Sequence, residues 1–104
     1  MALKPIPQST DEILLEMAET FKERNAVYGS NYKMVGPIMG ILFPNGVPHE
    51  VLADSSFHLF ELAIVKLSRL AISNLKHKDS ARDAGVYMAM IESIIQHKEA
   101  KHHD

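Results

Sequence analysis

The chain has 104 residues, 46% of them hydrophobic and 23% charged, with a formal net charge of -2 and no cysteine. That length holds one core and no second core of useful size. The charge balance offers no long-range field to draw in nucleic acid, and without cysteine there is no disulfide framework.

The opening MALKPIPQST lacks the charged-then-apolar order of a leader peptide. The most apolar run, LFELAIVKLSRLAI, is broken by Glu61, Lys66 and Arg69 and falls short of the roughly 20 apolar residues that span a bilayer. A cytoplasmic protein with no membrane partner is expected.

Residues 1–8, with two prolines, read as a flexible N-terminal arm. Ser9 with Glu12 three positions on makes a capping box, and helix 1 is predicted from about Thr10 to Asn25. Gly29 stops it, Ser30 and Asn31 supply a fresh cap, and a second helix is expected over Tyr32 to Phe43 despite Gly36, Pro37 and Gly40.

The turn sequence FPNGVPHE leads into a long third helix, roughly Glu50 to Asn74. Asp79 or Ser80 is expected to cap a fourth helix that runs to about Ala100, before an exposed tail over residues 101–104. No period-2 segment survives, so the expected class is all-α: an antiparallel four-helix bundle in a single domain over residues 9–100.

Turning each residue by about 100° puts Val86, Tyr87, Met90, Ile91, Ile94 and Ile95 on one stripe of the last helix, and Asp83 points into it. The third helix is apolar almost all round, with His58, Lys66, Arg69 and Ser73 along one narrow strip. That near-continuous apolar surface predicts a homo-oligomer. On the first helix, Ile13, Leu14, Met17, Phe21 and Tyr28 form the stripe and Arg24 falls at its centre.

The helical rise brings Arg69 level with Asp83 and sets Lys66 one turn deeper, near Tyr87. Charges buried there must be paired, hydrated or given a ligand. Arg24, Lys66 and Arg69 outnumber Asp83, and guanidinium groups suit phosphate geometry. A magnesium ion needs oxygen ligands, for which Asp79 and Asp83 are the best placed. His97, His102 and His103 read as solvated, Met17, Met88 and Met90 as core filler, and Ser68 and Ser73 as helix residues bonded to backbone rather than nucleophiles.

The segments FKERNAVYGSN and ELAIVKLSRLAISNLKHKDSARDAGVYMAMIESI resemble a family of small phage and prophage proteins, over most of residues 16–96. The shared pattern is an Arg with Tyr-Gly (Arg24, Tyr28, Gly29), then Lys-x-x-Arg (Lys66, Arg69), then Asp-x-x-x-Asp followed by Gly and Tyr (Asp79, Asp83, Gly85, Tyr87). That family is distantly similar to MazG-like nucleotide pyrophosphohydrolases and to phage domains associated with nucleotide modification. The resemblance implies an oligomeric helical bundle that handles nucleotides in an infected bacterium.

Enzymes of that superfamily hold magnesium through a Glu-Glu-x-x-Glu element and a later Glu-x-x-Asp. Asp83 matches the last Asp, but Ser80 stands where the paired Glu belongs, and Lys66 and Arg69 replace acidic residues on the preceding helix. The leading expectation is therefore binding of a nucleotide or other phosphorylated small molecule through Arg24, Lys66 and Arg69. Asp83 orients the cations, and Tyr28 or Tyr87 stacks on a base. A magnesium-dependent nucleoside triphosphate pyrophosphohydrolase using Asp79 and Asp83, and a non-catalytic interaction module, are the alternatives.

Overall fold

A computed structural model describes residues 6–29 and 31–101, apart from the side chains of Val27 and Tyr28. Residues 1–5 of the expected arm, the Ser30 cap, and His102 and His103 in the tail lie outside the described residues. Of the arm, residues 6–8 are exposed and non-helical.

The described chain is all-helical, as the periodicity predicts: α1 (Thr10–Tyr28), a 3-10 turn (Asn31–Lys33), α2 (Val35–Leu42), α3 (His49–Leu52), α4 (Ser55–Ile72) and α5 (Lys78–Lys101). The described residues form five α-helices where four are expected, because the third is cut in two at Asp54. The Asp54 carboxylate accepts from the backbone N–H of Ser56 at 2.8 Å and from its hydroxyl at 2.7 Å, an N-cap that starts α4 afresh.

The expected capping box at the head of α1 does not form. Ser9 occupies the N-cap position without a side-chain capping bond, and its hydroxyl instead serves Asp11, holding that carboxyl below its ordinary range. The second expected helix is shorter, since its first turn winds as 3-10. Pro37 is tolerated in α2 because it falls in the first turn, whose N–H groups have no partner within the helix.

The α4 and α5 helices form an antiparallel hairpin, the main packing unit of the chain. Lys66 and Asp83 meet near one end and Asp54 and Lys98 at the other, so α5 descends in register as α4 rises. Small residues line the seam: Ala63 and Ser68 on α4 and Ser80 and Ala84 on α5 are buried together with Ile64. Phe43, at the end of α2, sets its ring edge-on to Phe57 and Phe60 at 6.4 and 6.0 Å, which seats α2 on α4.

The turn between the two helices closes as a Schellman motif: Leu75 N–H donates to the Leu70 carbonyl at 2.9 Å and Asn74 N–H to that of Ala71 at 3.0 Å. Asn74 and Leu75 both adopt positive φ, 56° and 65°. His77 caps α5, not Asp79 or Ser80. Its Nδ1 accepts from Ser80 N–H at 3.2 Å, with the Ser80 hydroxyl 2.6 Å away.

The first helix stands apart. Among the described residues, its contacts with the later elements lie near its C-terminus, where Phe21 meets the Tyr32 ring edge-on at 6.2 Å and Gly29 approaches Ile72. The radius of gyration is 18.9 Å, against about 13 Å for a compact chain of this size. Met17, Met88 and Met90, expected as core filler, are all exposed within the chain. Their helices have too few neighbours here to cover them.

Candidate functional site

The expected site residues separate into two groups. In the first, Lys66 Nζ lies 3.0 Å from Asp83 Oδ2, with the two side chains 20% and 45% exposed. Lys66, not Arg69, is therefore level with Asp83, and the pair sits at the rim of the hairpin rather than in a dry centre.

The register differs because α4 ends at Ile72 and α5 starts at Lys78. Two residues lost at one end and about as many gained at the other shift the facing heights by about 5 Å, one helical turn.

The second group gathers where the end of α1 meets the 3-10 turn and α4. Phe21, Arg24, Asn25, Gly29, Asn31, Tyr32 and Arg69 line a pocket of about 140 Å³. Arg24 and Arg69 come from different helices and share this wall, but Arg24, expected to point inward, is exposed, and Arg69 is half-buried. No carboxylate stands among the described lining residues.

The pocket has a fixed polar floor. Asn31 is buried, and its Nδ2 donates to Ser68 Oγ at 3.0 Å; Ser68 in turn donates to the Val65 carbonyl at 2.7 Å. Gly29 allows the turn that swings Asn31 inward, with a positive φ of 62° that side chains rarely adopt. Ser73 likewise donates to the Leu70 carbonyl at 2.7 Å. Both serines therefore bond to the backbone, as expected.

The sequence pattern does not mark Asn31, Tyr32, Asn25 or Phe21 as site residues: it places Phe21 on the apolar stripe and Asn31 at a helix cap, and the available hint is a polar Asn two positions after Gly29. Of the other expected residues, Tyr87 is half-buried on α5 and Asp79 is exposed in its first turn. The Tyr28 side chain lies outside the described residues. His58 and His97 are exposed, and His97 Nδ1 lies 2.7 Å from the Ser93 carbonyl.

Magnesium, which the resemblance implies, finds a poor donor set within one chain. The Lys66 ammonium already occupies the Asp83 carboxylate, and no three His, Asp or Glu side chains among the described residues come together to hold an ion. Among the described residues, no helix is long and apolar enough to cross a membrane.

Comparison with protein-family models, curated proteins and solved structures finds no match for this chain.

Proposed function

We propose that this chain is a phage-type protein that binds a nucleotide or another phosphorylated small molecule, with Arg24 and Arg69 as its principal phosphate contacts. The supporting observation is the convergence of two guanidinium groups on a pocket with no described carboxylate in its wall. Guanidinium forks match phosphate oxygens in pairs, and a partly enclosed site strengthens that attraction over its value in water.

The pocket, about 140 Å³, is smaller than the roughly 300 Å³ at which pockets for whole drug-sized ligands begin. It suits a phosphate group, with the rest of the ligand lying outside. Tyr32 and Phe21 at its edge offer ring faces for a base. Lys66 contributes positive charge along the same helix as Arg69, while Asp83 orients it. The use is control of the nucleotide pool or capture of a nucleotide signal made by the host, in the cytoplasm of an infected bacterium and by a homo-oligomer.

A thermal-shift screen of nucleotides and cyclic dinucleotides, with and without magnesium, tests this reading, since a ligand that binds only the folded chain raises its melting temperature. At least one phosphorylated compound is expected to do so, and the shift should vanish in Arg69→Ala. The magnesium-dependent pyrophosphohydrolase is the lesser reading, motivated by exposed Asp79 one turn before Asp83. Pyrophosphate release that needs magnesium and is lost in Asp83→Ala would put it first.

A further inference from the structure

The apolar face of α1 lies open along the helix. Ile13, Leu14, Met17 and Phe21 share one arc of the helix, all four are exposed, and among the described residues α1 packs lengthwise against no other helix of its own chain. Leu67, Val86, Met88 and Ile95 on the α4 and α5 hairpin are also exposed. A single chain thus carries both a helix with no partner and a hairpin whose outer surface is only half covered.

The areas say how much is missing. The chain exposes 8501 Å², whereas a compact monomer of its mass exposes roughly 5,800 Å². The surplus, roughly 2,700 Å², compares with the roughly 1,000–2,500 Å² that each copy buries in an obligate dimer.

We infer that α1 is a dimerisation helix, and that a second copy of this chain covers the arc of Ile13, Leu14, Met17 and Phe21. Identical copies satisfy both deficits at once, because each brings an unpartnered helix and an unpartnered hairpin face. A trough of about 370 Å³ runs along the same arc, lined by Ile13, Glu16, Met17, Thr20, Phe21 and Arg24, and receives side chains of the incoming copy. Phe21 and Arg24 also belong to the phosphate pocket, so the second copy forms part of its outer wall.

Light scattering on the full chain at micromolar concentration reads the mass directly. A mass twice that of one chain is expected, and Leu14→Glu with Met17→Glu should halve it. Leu15→Glu serves as control, since Leu15 is 71% exposed but lies on the other side of α1; it should leave the mass unchanged. Circular dichroism monitors the helices of each variant.

A second measurement uses the absence of native cysteine. Met17→Cys should be joined into covalent pairs by a short bis-maleimide, and Leu15→Cys should not. A monomeric mass for the unmodified chain, or a mass that Leu14→Glu with Met17→Glu leaves intact, overturns the inference. So does a monomer that binds anionic vesicles through this arc, for then a lipid surface is the occupant. Arg69→Ala, which removes the phosphate contact, should leave the dimer mass unchanged, so failure of ligand binding and failure of dimerisation are told apart.

Discussion

Lys66 Nζ lies 3.0 Å from Asp83 Oδ2 and ties α4 to α5 at the rim of the hairpin. With the two side chains 20% and 45% exposed, water screens the pair. The bridge fixes which turn of α5 faces which turn of α4 more than it adds stability. A double-mutant cycle with Lys66→Met and Asp83→Leu, followed by chemical denaturation, should give a coupling of about 0.2–1 kcal/mol.

The polar floor of the pocket is a stronger structural element. Asn31→Ala leaves buried Ser68 without its donor, although the serine keeps its own bond to Val65. Urea denaturation should show a loss of about 1 kcal/mol. Because the floor holds Asn31 beside Arg69, the same variant should weaken any nucleotide-induced thermal shift.

Asp54 makes stability depend on pH. The bond from Lys98 first, then the backbone N–H and hydroxyl of Ser56, hold its carboxyl far below the ordinary range. A group depressed in the folded state contributes fully above its unfolded pKa, about 4, and loses that contribution as pH falls through the folded value. The melting temperature should therefore drop as pH goes below about 4. Asp54→Asn, which still caps but carries no charge, should flatten that decline.

The hairpin turn offers two opposite tests. His77→Ala removes the side chain that caps α5, and thermal denaturation should show a loss of about 1 kcal/mol. Leu75 is 75% exposed in a left-handed conformation, a cost of about 1–2 kcal/mol for a residue with a Cβ. Leu75→Gly should relieve part of it and raise the melting temperature.

How much of this was legible in the residues alone varies with the range of the interaction. The all-α class followed from apolar periodicity, a local property. Lys66 and Arg69 fall on one helix by the same rule, whereas the start of α1 at Thr10 is expected from a capping box that does not form, although the helix begins there. The break at Asp54 was missed because apolar spacing continues through it, although Asp-Ser-Ser is a local capping signal. The His77 cap was missed because histidine is an uncommon choice beside Asp79 and Ser80.

The sequence by itself determined which segments are helical and which of their faces are oily or charged, since a helix's faces depend only on residues a few positions apart. Tertiary structure decided that Lys66 rather than Arg69 meets Asp83, because antiparallel register depends on where two helices end, and shifting each end by two residues moves the facing partner by one turn. It also decided that Arg24 and Arg69 share a wall and that the apolar arc of α1 is left uncovered by its own hairpin. Those placements depend on the turn at Gly29 and on packing between distant residues, neither of which a periodic pattern records.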